Sequence, residues 1–174
     1  MTRGTLVVLA LLISLANLRD AKAQIAGLFG GGVQPIETAD LHRRLQQHRE
    51  AVQAAKASGQ PEPQPDFVLV DVRSKEEVDV SIIPGAILKE DFEAHRDEHR
   101  QQLIIPYCTV GGRSGLYARK LQSLGFDVLN YKGSILQWVN DGLPLVTIDG
   151  QPTQRVHTYS NRYKVPPQYE QLPQ

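Results

Sequence analysis

Phe67-Val68-Leu69-Val70-Asp71 is a short, almost unbroken apolar run bounded by turn signals, and it constrains the fold more than any other stretch. A strand with one wet face alternates apolar and polar residues. A continuous apolar run must be covered on both faces, as in a parallel sheet with helices above and below it. Leu103-Ile104-Ile105-Pro106-Tyr107 is a second such run, with Pro106 expected at the strand end or at a bulge because it has no N–H for the ladder. Helical patterns separate these runs. Thr38 caps a long exposed helix through Ala57, with Leu41, Leu45, Val52 and Ala55 among strong helix formers, and Gly59 and the prolines up to Pro65 end it. Ile83-Pro84-Gly85 marks a turn, with a short strand at Ala86–Leu88, and the charge-dense residues 90–102 read as a surface helix. Ser114–Leu124 is helical and stopped by Gly125; Val128–Tyr131 is a short strand, Ser134–Asn140 a helix, and Gly142-Leu143-Pro144 a closing turn. Alternating strands and helices predict an α/β fold, a mostly parallel central sheet flanked by helices in one domain. Residues 147–174, rich in Pro, Gln and Tyr, have no clear period and are expected to lie across the surface or to be partly loose.

The first 23 residues read as an export signal. Arg3 precedes an apolar stretch from Thr5 to Ala16, shorter than the roughly 20 residues needed to span a bilayer, and Ala21-Lys22-Ala23 is a small-x-small cleavage pattern. Cleavage after Ala23 makes Gln24 the first mature residue, followed by a flexible lead-in over 24–35 with Gly30-Gly31-Gly32. The expected location is an exported space such as a bacterial periplasm, without a stable membrane anchor. Removing Arg3, Arg19 and Lys22 against Asp20 takes 19 basic and 19 acidic residues to 16 and 18, a balance that does not suggest nucleic acid as partner.

The chain has a single cysteine, so no internal disulfide forms and packing alone must hold the domain. An unpaired thiol in an oxidising compartment is either an inert core residue or one with a task. Cys108 opens Cys108-Thr109-Val110-Gly111-Gly112-Arg113-Ser114, between a buried strand and a helix. A loop curling there aims successive N–H groups and the positive end of the helix at one point, with Gly111 and Gly112 supplying positive φ. Those dipoles, with Arg113 closing the loop, favour a thiolate.

Asp71-Val72-Arg73, Glu76-Glu77, Ile83-Pro84-Gly85-Ala86, Cys108 with Gly111, Arg113 and Ser114, Leu124-Gly125-Phe126, Gly133, Trp138 and Gly142-Leu143-Pro144 follow one another in an order and spacing that resembles the rhodanese-homology domain, from about Ile36 to Val146. On this reading residues about 46–65 are an inserted helix and loop, and 147–174 a C-terminal extension. The resemblance implies a sulfurtransferase in which Cys108 takes sulfane sulfur from thiosulfate or a persulfide and passes it to a thiol or cyanide. Thr109, Val110, Gly111, Gly112, Arg113 and Ser114 form the substrate-binding loop, and no cofactor or metal is needed. Related phosphatases use a loop one residue longer than Cys108–Arg113; the shorter ring suits sulfur better than a phosphoryl group.

Three departures from the pattern stand out. Ser81-Ile82 replaces a Gly-His pair. Thr109 stands where thiosulfate-using members often carry a basic residue, which favours a neutral or organic persulfide as donor. Ser134 replaces the second glycine of a Gly-Gly pair, which reads as a small change. Asp71 and Arg73 are expected to pair structurally and Trp138 to anchor its helix; His95 and His99 read as a solvated helix face, and Lys132 and Gly133 flank the site. The competing reading is a non-catalytic binding or sulfur-carrier module that docks a protein partner through the long helix or the tail.

Overall fold

A computed structural model of the chain describes residues 32–172. The segment 1–23, expected to be an export signal, and most of the expected lead-in at 24–35 lie outside the described residues. From Val33 onward the chain forms one compact unit. Its elements are α1 (Thr38–Ser58), β1 (Phe67–Asp71), α2 (Lys75–Val78), β2 (Ile87–Leu88), α3 (Lys89–Ala94), a 3-10 turn (Arg96–His99), β3 (Leu103–Tyr107), α4 (Gly112–Ser123), α5 (Ser134–Asn140), β4 (Leu145–Val146), β5 (Pro152–Thr153), β6 (Arg155–His157) and β7 (Glu170–Leu172). Among the described residues no helix is long and apolar enough to cross a membrane.

The two apolar runs pair with each other in parallel, from Phe67↔Leu103 to Asp71↔Tyr107, and β2 pairs in parallel with the other edge of β1. Every residue of β1 is buried. The period-2 geometry of the strand divides it between two cores. Phe67 and Leu69 pack with Leu41 of α1 and with Ile135, Trp138 and Val139 of α5 on one face. Val68 and Val70 pack with Phe92 of α3 and with Tyr117, Ala118 and Leu121 of α4 on the other. This is the expected α/β architecture, with helices on both faces of a parallel sheet. Trp138 is 1% exposed and its Nε1 donates to the Pro144 carbonyl at 2.8 Å, as expected of an anchor.

Several local expectations are corrected. Glu37, with extended backbone, is the N-cap of α1; Thr38 is its first helical residue, and its hydroxyl is hydrogen bonded to Tyr131 Oη at 2.9 Å. The charged segment 90–102 is two pieces, α3 and the 3-10 turn, broken at His95; His99 stacks on Phe92 at 5.5 Å. Pro106 stands inside β3 in regular register, with no bulge. It is tolerated because residues 104 and 106 face the 127–131 segment: the Pro106 carbonyl accepts from Tyr131 N–H, while its nitrogen gives nothing back. The expected strand Val128–Tyr131 is accordingly reduced to isolated parallel bridges, Ile104↔Val128 and Pro35↔Asn130. Residues 147–172 are not loose. They supply β5, which pairs with β4, and the β6–β7 pair, and Val156 and Thr158 are wholly buried.

Candidate active site

β3 ends at Tyr107 and α4 begins at Gly112, so residues 108–111 turn between a central strand and a helix N-terminus. The turn is closed by Gly111, the N-cap of α4, at φ +87. A Cβ on Gly111 would lie 2.3 Å from the Lys132 carbonyl oxygen, so both conformation and space require glycine. Gly112 has no such demand; it is an ordinary first helical residue with open space around it, which corrects the expectation of positive φ at both glycines.

Cys108 is 1% exposed, and its Sγ accepts the Gly111 N–H at 3.1 Å. Burial pushes the thiol up, but the Ser114 N–H and hydroxyl and the Val110 and Gly111 N–H groups outweigh it, and the net result is a thiol held below its ordinary value. Of the amides expected to converge on the sulfur, the Gly111 N–H lies at hydrogen-bond distance. Val110 projects at the loop tip, 43% exposed, beside a cleft of about 660 Å3 that Lys132, Gly133 and the start of α1 also line.

Arg113 and Thr109 turn toward α2. Glu77 is 1% exposed and accepts from both terminal nitrogens of Arg113, from the Thr109 hydroxyl at 2.5 Å and from Ser74 N–H at 3.1 Å. Burial alone would raise this carboxyl; the hydrogen bonds from Arg113, Thr109 and Ser74 hold it at about 2. Thr109 also accepts from Arg113 Nη2 at 2.8 Å, so its side chain belongs to this buried network and not to the mouth of the loop. Behind the loop, Asp71 and Arg73 form the expected pair, Oδ2 to Nη2 at 2.6 Å with both side chains fully buried.

The chemistry-bearing residues thus gather at the C-terminal edge of a parallel sheet, and a model of the rhodanese-like domain family matches residues 50–141, more than half of the chain. The chain belongs to the rhodanese-like domain family. Two curated relatives agree with this. A sulfurtransferase of Allochromatium vinosum is 32% identical over 95 residues, covering 49% of this chain and 83% of the relative. A tRNA sulfurtransferase of Desulfurococcus amylolyticus is 34% identical over 73 residues, covering 42% of this chain; the chain spans only 15% of that relative. Both relatives bear the name sulfurtransferase. Among solved structures, the BH2092 protein of Bacillus halodurans superposes with a TM-score of 0.52 at 21% identity, covering 77% of this chain and 88% of that one, a likeness of fold.

Sequence reasoning missed three residues that this rhodanese-like domain brings to the loop. Glu77 was noticed only as one of two acidic residues, without its role as the acceptor that ties the loop to α2. Ser134 was read as a minor departure, yet its Oγ accepts the Cys108 N–H at 3.1 Å and lies 3.8 Å from Sγ. Tyr159, from the tail, lies over the Arg113 guanidinium with 5.3 Å to the ring centroid. Only the Gly-to-Ser exchange at 134 left a readable signal. His95 and His99 stay outside the site, and among the described residues no cluster of His, Cys, Asp and Glu suits a metal ion.

Proposed function

We propose that this protein transfers sulfane sulfur through a persulfide on Cys108. The observation that carries the reading is the Gly111 N–H on Sγ at 3.1 Å, at the head of α4, with the thiol held below its ordinary value. The Cys108 thiolate attacks the terminal sulfur of a donor. A Cys108 S–S bond forms, and the donor's bond to that sulfur breaks with its electron pair, which departs on sulfite from thiosulfate or on a thiolate from an organic persulfide. A thiol, as its thiolate, or cyanide then attacks the outer sulfur, and the electron pair returns to Sγ. The amides of Val110, Gly111 and Ser114 hold negative charge on the sulfur between the two steps. With Cys108 so little exposed, the donor has to present a single terminal atom, which suits sulfane sulfur.

Thr109 provides no cation, and Arg113 is already paired with Glu77, so an organic persulfide is favoured over the thiosulfate dianion as donor. Incubation with each donor followed by intact-mass measurement tests this. One added sulfur, about 32 Da, is expected on the wild-type protein, removed by cyanide and missing from Cys108→Ser. If neither donor leaves an adduct, catalysis is ruled out and the domain is a binding module. The pattern over residues 1–23 adds the proposal that the protein works after export; N-terminal sequencing of the protein recovered from the exported fraction should begin at Gln24.

A further inference from the structure

Tyr159 is one of two residues other than glycine that hold a positive φ among the described residues, at φ 63, a conformation that a bulky side chain adopts at a cost. A set of hydrogen bonds holds the turn in place. Tyr159 N–H donates to His157 Nδ1 at 3.1 Å and Thr158 N–H to the Leu172 carbonyl at 3.4 Å. The Thr158 hydroxyl donates to the Ser160 carbonyl at 3.2 Å and accepts from Gln171 Nε2 at 3.0 Å. His157 and Thr158 are buried and anchor the tail, yet the Tyr159 ring is 51% exposed and is not part of either core. What the strained backbone secures is the place of that ring, over the Arg113 guanidinium with 5.3 Å to the centroid.

We propose that Tyr159 is a specificity-determining residue of the sulfur-transfer site: it covers the Arg113 guanidinium against small dianionic donors and presents an aromatic wall to the organic part of a persulfide. A guanidinium recognises an anion along its N–H edge and an aromatic ring across its face. Both terminal nitrogens of Arg113 are given to Glu77, and Tyr159 lies against the face, so little of the cation is left for a second anion. This happens beside the reacting sulfur. Glu77 is the main reason that the guanidinium is held above its ordinary value, and the charge of Cys108 adds to it, so the two sites feel each other. The part of the ring that stays in water can bury apolar atoms of a thiol carrier. An organic persulfide has such atoms to offer, and thiosulfate has none.

The inference rests on the persulfide reading, and its test separates the two. Tyr159→Asn removes the ring while suiting the left-handed backbone, and Tyr159→Phe keeps the ring without its hydroxyl. Sulfur transfer to cyanide is measured on each with thiosulfate and with an organic persulfide, circular dichroism reporting the fold. In Tyr159→Asn, KM is expected to fall roughly threefold for thiosulfate and to rise roughly threefold for the organic persulfide, with kcat nearly unchanged, so that donor preference moves about tenfold. Tyr159→Phe should keep the wild-type preference. An unchanged preference in folded Tyr159→Asn, or an equal loss with both donors, would overturn the proposal and leave Tyr159 as a strap on the loop. A Tyr159→Phe protein that behaves like Tyr159→Asn would overturn it too, by placing the effect on the hydroxyl. Sulfate, which carries the charge of thiosulfate and no sulfane sulfur, gives a readout without turnover: it should slow Cys108 alkylation by iodoacetamide at lower concentration in Tyr159→Asn than in the wild-type protein. That result in a protein that takes up sulfur from neither donor would uphold the cover over Arg113 while removing the transfer reaction, and equal protection in both proteins would overturn the cover.

Discussion

Arg113 gives both terminal guanidinium nitrogens to the Glu77 carboxylate, Nη1 to Oε2 at 2.6 Å and Nη2 to Oε1 at 2.7 Å. The pair joins the last residue of the cysteine loop to α2, which lies 36 positions earlier in the chain. The loop's shape therefore depends on an ion pair outside it, and the arginine's charge is partly spent before any donor arrives.

Acid stability should report this pair. The Glu77 carboxyl sits at about 2 against an ordinary value of 4.5, so its contribution is fully present above 4.5 and is lost as pH falls toward about 2. The contribution is on the order of 2 kcal/mol, less than the full shift implies because the Arg113 side chain is 39% exposed and screened by water. Glu77→Gln should lower the urea midpoint at neutral pH and flatten its acid limb over that window. A variant with the wild-type acid limb would show that the pair contributes nothing to stability.

Gly111→Ala should be among the most damaging single-methyl additions in the domain. Its φ of +87 is unfavourable for alanine, and the new Cβ would meet the Lys132 carbonyl at 2.3 Å, so the loop has to move. A loss of about 2–4 kcal/mol is expected in chemical denaturation. Cys108 alkylation should shift to higher pH because the amide nearest the sulfur moves with the loop. Gly112→Ala is the control: open space and a helical position predict a change within about 1 kcal/mol.

These contrasts mark what the chain discloses by itself. β1 and β3 were readable because burial on both faces leaves a local signature of unbroken apolar residues, and α5 because Gly133 and Asn140 bound an apolar segment. The cysteine loop was readable because strand, turn and helix cap are contiguous. Glu77 was not, since it reaches the loop from 36 positions away and nothing local distinguishes it from a surface residue; Ser134, 26 positions away, shows only as a serine in place of a glycine, without its contact to the loop. The folded tail was equally hidden. Strands of two or three residues such as Pro152–Thr153 and Arg155–His157 are too short to show a period, and β6 is recognisable only once β7 lies beside it.

Behind the loop, Asp71 accepts from Arg73 and, at 2.5 Å, from the Tyr107 hydroxyl, which in turn accepts Ile83 N–H at 3.0 Å. Burial alone would lower the Arg73 guanidinium, but the charge of Asp71 keeps it above its usual value, so the guanidinium stays charged in the interior. Asp71→Asn leaves the Arg73 charge buried without its counterion and should cost about 3–5 kcal/mol. Tyr107→Phe removes the acceptor for a buried N–H and should cost about 1–3 kcal/mol. Urea denaturation of both variants checks the order; a Tyr107→Phe protein less stable than Asp71→Asn would mean that the hydroxyl, and not the ion pair, holds the end of β1.

The tail separates architecture from chemistry at two positions only three residues apart. Val156 is wholly buried in the core on the α1 and α5 face, whereas Tyr159, 51% exposed, lies over Arg113. Val156→Ala should cost about 2 kcal/mol through lost burial and the cavity left behind. Tyr159→Ala removes an exposed cation–π contact and should cost less than about 1 kcal/mol. Removal of residues 155–172 should unfold the whole domain in one transition, because Val156 is part of the core that covers β1. A truncated protein that keeps its near-UV circular dichroism and a cooperative melt would instead make the tail a separable extension, and Tyr159 the only part of it that matters at the loop.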